Sequence, residues 1–296
     1  MKDGNMWTFA MSDELADDLA FERTAFNSDD DDFDLFRAAV LLGRIEEPQL
    51  DPSSTVVAVE ELAARVCERI PRDAGWPAPL AALVEVLFHE QGFAGDVEHY
   101  DAPKNSYLHC VLQERRGLPI ALSVLTCEVA KRSGIRAYGI GFPGHFLVAV
   151  HNDLGEAPSE LLVIDPFHKG RPVGPPTLER WLEEAVGQRV ELSPEHLAAA
   201  SPTAILTRML TNLRGSYARR QDALHLGRVL SRLLILRPGD AELYCERALA
   251  RRDLLDGEGA RDDAAHALKL APLGSPVRER AQRLLALLDE DRRWAN

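Results

Sequence analysis

A chain of 296 residues with 46% hydrophobic content is long enough to bury a full core and to hold two modules. Its 34 Lys and Arg stand against 47 Asp and Glu, a net charge of -13. That balance argues against nucleic acid, whose binders gather basic residues on one face, and against an anionic membrane surface. No run reaches the roughly 18 uninterrupted apolar residues of a membrane helix. The first residues also lack a basic stretch followed by an apolar one, so a soluble cytoplasmic protein is expected.

Residues 1–34 are rich in Asp, including the run at 29–32, and are expected to form a mobile or solvated lead-in because like charges resist packing. Phe33, Leu35, Phe36, Ala39, Val40 and Leu41 predict a short amphipathic helix ending near Gly43. Asp51-Pro52-Ser53 opens a second, with Val56, Val59, Leu62, Ala63 and Val66 at helical spacing, and a third covers residues 77–90. After Gly92 a loop leads to Asn105-Ser106, read as the N-cap of a helix carrying Leu108, Val111 and Leu112. That helix stops at Arg115-Arg116-Gly117, where glycine is expected to take the left-handed conformation.

Pro119 opens the next helix from its first turn, where a missing N–H costs nothing. Its apolar residues Ile120, Leu122, Val124, Leu125 and Val129 mark it as central to the core. Beyond Ile135 the period drops to that of strands, at 138–141, 146–150 and 161–164, with residues 151–155 in the turn between the last two. A helix over 177–185, with Leu178, Trp181 and Leu182, closes the module. The reading is an α+β fold: N-terminal helices, then a central helix on a small antiparallel sheet.

The C-terminal region carries an internal repeat. Leu234-Ile235-Leu236-Arg237-Pro238 and Leu268-Lys269-Leu270-Ala271-Pro272 lie 34 residues apart, the tetratricopeptide period. Small residues fall at Ala248, Ala260, Ala264 and Ala267, where paired helices must approach closely, and Tyr244 fills the large slot. The preceding unit has Arg214 and Leu226 in place of small residues, and a last helix at 276–288 caps the stack. So few repeats rarely bury a core alone and are expected to dock on the preceding module. The expected domains are residues 35–200 and 201–296.

Four motifs carry the functional reading: Asn105-Ser106, Arg115-Arg116-Gly117-Leu118-Pro119-Ile120, Pro143-Gly144-His145-Phe146-Leu147 and Asp165-Pro166-Phe167. Together they resemble the transglutaminase-like core of the SirB-type proteins, bacterial regulators that join such a core to tetratricopeptide-like helices. The wider superfamily implies a Cys at the helix start, a His that shuttles its proton and an Asp that orients the His. Matched by register, these fall on Pro119, His145 and Asp165. Proline has no nucleophilic atom, and the SirB-type proteins as a group look to lack this Cys as well. The resemblance therefore implies a catalytically inactive module with vestigial His145 and Asp165. His145 reads either as a retained proton carrier or ligand contact beside Asp165, or, the favoured reading, as one end of an inherited hydrogen bond to Asp165 that ties two strands together. Asn105, Arg115, Arg116, Gly117, Pro143 and Gly144 are the candidate residues lining its cleft.

Other nucleophiles are few. Cys127 lies two turns past Pro119, about 12 Å along the axis. Ser123 is one turn in, and Cys110 reaches the pocket only if its helix folds back, so Ser123 and Cys110 remain the alternatives for a hydrolase or acyl transferase served by His145 and Asp165. Cys67, Cys110, Cys127 and Cys245 form no C-x-x-C pair, which suits neither a disulfide framework nor a zinc knuckle. His145, Asp165 and His168 lack a recognised ligand spacing, so no metal and no cofactor are expected. The chain is read as a regulatory, protein-interaction module with a protein partner.

Overall fold

A computed structural model describes residues 18, 21, 34–73, 75–151 and 161–295. Contacts divide the chain into two units. One comprises Leu35–Gly43 with Leu50–Ile205, and the other Met1–Asp34, Arg44–Gln49 and Leu206–Asn296. The architecture is α+β. Of the acidic lead-in only Asp18, Phe21 and Asp34 are described. Phe21 is fully buried beneath the Arg232 guanidinium, and Asp18 Oδ1 lies 3.6 Å from Arg232 Nε.

In the first unit, helix α1 spans Leu35–Leu41 and runs into a 3-10 turn at Leu42–Ile45. Helix α2 spans Pro52–Arg69, and Asp51 caps it by accepting from the Ser53 amide at 3.0 Å. Proline at the first position and an acidic cap together explain why the helix starts there. Asp51→Ala is expected to lower stability by about 1 kcal/mol, read from the urea midpoint. Helix α3, Ala78–Val84, widens into a π turn at Glu85–Glu90 that buries Val86, Leu87 and Phe88.

Two boundaries differ from expectation. Helix α4 spans Leu108–Glu114 with Tyr107, not Asn105 or Ser106, at its N-cap, because Pro103–Ser106 forms a 3-10 turn of its own. Its C-cap in the left-handed region is Arg115, at φ 60°, not Gly117. Gly117 is committed elsewhere: Ala94–Gly95 (β1) and Arg116–Gly117 (β2) pair in parallel, and a Cβ on Gly117 would come within 2.8 Å of Val111.

Helix α5, Pro119–Arg132, is buried on almost every side, from Ile120 to Thr126 and again at Val129 and Ala130. A helix apolar all round belongs in the middle of a core. It packs against α2 and against a four-stranded antiparallel sheet of β3 (Ala137–Ile140), β4 (Leu147–His151), β5 (Leu161–Asp165) and β6 (Arg171–Pro172). Alternation along β4 puts Leu147 and Ala149 on the opposite face, where they join Leu178 and Leu182 of helix α6, Pro175–Val186. Both faces of the sheet are therefore covered. The turn expected between β4 and β5 falls mostly on residues 152–160, outside the described residues.

The second unit contains α7 (Pro202–Arg220), which begins at the end of the first, then α8 (Ala223–Leu236), α9 (Ala241–Asp253), α10 (Gly257–Leu270) and α11 (Pro276–Ala295). Ala248, Ala260 and Ala264 are fully buried against Leu284 and Leu288, as their small size demands at a close helix crossing. The α7–α8 and α9–α10 turns are alike. Gln221 at φ 56° precedes the cap Asp222, and Leu255 at φ 64° precedes the cap Asp256.

Candidate functional site

The start of α5 is fixed from three directions. Leu118 donates its amide to the Asn105 carbonyl at 2.8 Å, the β1–β2 pair holds Gly117 beside Gly95, and the Gly95 amide donates to the Phe167 carbonyl at 2.8 Å. The chain thus brings the Asp165-Pro166-Phe167 loop beside the segment that leads into Pro119. Gly95 is needed there, because a Cβ would fall 2.2 Å from the Phe167 ring.

Asp165 ends β5, is 3% exposed, and is engaged entirely within its own turn. Its Oδ1 accepts from the Phe167 and His168 amides at 3.0 and 3.3 Å, and its Oδ2 lies 2.7 Å from His168 Nδ1. This corrects the expected His145–Asp165 bond. The i,i+3 imidazole and two local amides reach the carboxylate more cheaply than a side chain from another loop, since an Asp at a turn closes on its own backbone. His145 instead follows the tight turn Phe142–His145, whose Gly144 sits at φ 74°, and its ring stacks on Trp181 at 3.7 Å and 15°.

The alternative nucleophiles are otherwise occupied. Ser123 is fully buried and its Oγ donates to the carbonyl of Phe146 at 3.3 Å, the residue next to His145. Cys110 Sγ lies 3.2 Å from His109 Nε2. Burial, with Glu128 adding to it, pushes the Cys127 thiol up to about 12.

Among the proposed cleft residues, Asn105 is 1% exposed and its Nδ2 donates to Asp96 Oδ2 at 3.2 Å and to the His99 carbonyl at 2.7 Å. Burial works against ionisation of Asp96, but the His99 amide and Asn105 outweigh it and hold the carboxyl below its ordinary range. Arg116 donates to the Gly92 and Arg115 carbonyls, so it braces the loop. The Arg115 guanidinium lies over the Phe93 ring at 4.7 Å. Pro143 and Gly144 are exposed in the turn before His145.

Gly95, Asp96, His99 and Trp181 were not anticipated here. The first three share a loop with no periodicity, and Trp181 reaches His145 only because α6 covers the sheet. Among the described residues, no group of three or more His, Cys, Asp or Glu is arranged to hold a metal ion, and no helix is long and apolar enough to cross a membrane.

A central helix on an antiparallel sheet, with these loops gathered at its start, defines a transglutaminase-like domain, and the chain belongs to the transglutaminase-like superfamily, whose model matches residues 54–211. More narrowly it groups with the UPF0162 proteins. It is 35% identical over 247 residues to one from Xylella fastidiosa (strain 9a5c), covering 82% of this chain and 86% of the relative. One from Vibrio cholerae is 29% identical over 195 residues, 65% of this chain and 70% of the relative. A 137-residue stretch, 45% of this chain and 21% of the relative, is 31% identical to F-box only protein 21 of Mus musculus. No solved structure matches.

Proposed function

We propose that this transglutaminase-like protein is of the SirB type, performs no thiol acyl transfer, and acts in the cytoplasm as a regulatory module through contacts with a protein partner. The observation that carries the reading is the state of two positions. The central helix opens on Pro119, which has no nucleophilic atom, and both oxygens of Asp165 are engaged by its own turn and His168. A triad needs its acid behind its base.

The repeated turn at Gln221-Asp222 and Leu255-Asp256, together with the buried alanines, supports tetratricopeptide-like stacking of the C-terminal helices. A cavity of about 730 Å³ lined by Thr211, Ala218, Leu226 and Leu249 gives those helices a face of the kind that receives a peptide.

The test is covalent labelling of the purified protein with acyl probes directed at Ser and Cys, alongside folded His145→Ala and Ser123→Ala variants. Labelling is expected to be absent, or the same in all three proteins. Labelling or turnover that disappears with His145, while circular dichroism stays native, overturns the reading in favour of a relocated Ser123 or Cys110 nucleophile.

A further inference from the structure

The cavity of about 730 Å³ in the helical second unit lies where α7 and α9 end. Ala218 and Ala250, too small to fill it, line its two long sides, and Leu226 and Leu249 give it apolar surface. Leu249 is 42% exposed, as is Leu224, the neighbour of another lining residue, Ala223. Single exposed leucines are ordinary, but these gather around one hollow.

A third leucine stands out from the same end. Leu255 follows the lining residue Asp253 by two positions, in the turn from α9 into α10, and is 92% exposed. It also sits at φ 64°, a conformation that glycine or asparagine adopts far more readily. Neither burial nor backbone preference accounts for a leucine there. The matching residue of the α7–α8 turn, at φ 56°, is the polar Gln221.

Charge at this end is balanced, although the chain carries -13. Arg214 and Glu246, both lining the cavity, pair with each other, Nε to Oε2 at 2.6 Å. Arg220 ends α7 and Asp253 ends α9. Both are exposed, and among the described residues neither makes a hydrogen bond or an ion pair. A hollow, a protruding leucine, one free cation and one free anion together form a surface complementary to itself. A foreign peptide would fill the hollow and leave Leu255 and both charges without a role, whereas a copy turned about a two-fold axis engages all of them.

We infer that this end of the helical unit is an isologous dimer interface. Leu255 of each copy enters the cavity of the other, and Arg220 meets the partner's Asp253. The inference rests on the reading of this cavity as a docking face and names its occupant; it is independent of whether the start of α5 is catalytic. The patch is smaller than a standard interface, so the dimer is expected to be weak, with a Kd on the order of 10 µM.

Sedimentation velocity of the full chain, from about 1 to about 200 µM, should show the mass passing from one chain to two. Leu255→Asn should stay monomeric throughout, while its thermal midpoint in dilute solution is unchanged or higher because asparagine accepts that backbone conformation. Arg220→Asp and Asp253→Arg should each weaken association about tenfold by setting like charges against one another. An equimolar mixture of those two variants should dimerise again, since every contact across the axis then joins opposite charges. A single chain at every concentration, a dimer that survives Leu255→Asn, charge variants that associate like wild type, or a mixture that stays monomeric overturns the inference. Acyl-probe labelling of the Leu255→Asn protein reads the absence of acyl transfer separately, so either reading can fail without the other.

Discussion

Asp263→Ala is expected to lower stability by about 3 kcal/mol, among the largest losses for a single substitution outside the candidate site. The Asp263 side chain is 4% exposed and accepts both arms of Arg247, at 2.8 and 2.7 Å, and Arg251 Nη1 at 3.1 Å. Arg247 also reaches Ser231 Oγ at 3.1 Å, so one carboxylate on α10 ties together α9 and, through Arg247, α8. Removing it leaves a largely buried guanidinium without its counterion. That penalty, more than any lost attraction, sets the size of the effect. Asp263→Asn keeps hydrogen-bond acceptance and should fall well short of the alanine loss. A urea midpoint for the alanine variant close to wild type would show that water reaches Arg247 freely.

Gly170→Ala should cost a similar amount, about 3 kcal/mol, for two separable reasons. Gly170 sits at φ 69°, where an ordinary residue pays roughly 1–2 kcal/mol. A Cβ there would also fall 2.4 Å from the ring of Phe88, itself 3% exposed and unable to move without disturbing the core. Overpacking of that kind adds roughly 1–3 kcal/mol. Gly92 supplies the control: it lies at φ 72° with nothing within 4 Å of its would-be Cβ, so Gly92→Ala should show the backbone cost alone, roughly 1 kcal/mol. Equal losses in the two variants, measured by urea unfolding, would remove the contact with Phe88 from the account.

The long helices and the sheet were legible in the sequence because their cues are periodic. The cap at Asp51, the proline starts of α2 and α5, and the apolar run of α5 all state their element in one local stretch. What escaped had no period to display. β1 and β2 are two residues each, too short to alternate, and they pair across the 3-10 turn and helix α4 that separate them. Arg115 took the left-handed cap expected of Gly117 because Gly117 is needed for close approach to Val111. The Asp165–His168 contact was readable in principle, since an Asp followed three residues later by a His can close an i,i+3 turn. The triad order of the superfamily assigns that carboxylate to His145 instead.

The parallel pair of β1 with β2, and the Gly95–Phe167 contact beside it, bear on how portable this arrangement is. Its parts come from the Gly92 loop, the approach to Pro119, the turn before His145, the end of β5, and Trp181 on α6. Each is a few residues long and positioned by a partner distant in the chain. No short peptide cut from the protein would carry the geometry with it. A fragment meant to reproduce it must run from α1 through α6, because α5 packs against α2, which makes the whole covered sheet with its helices, not the motif, the smallest transferable unit.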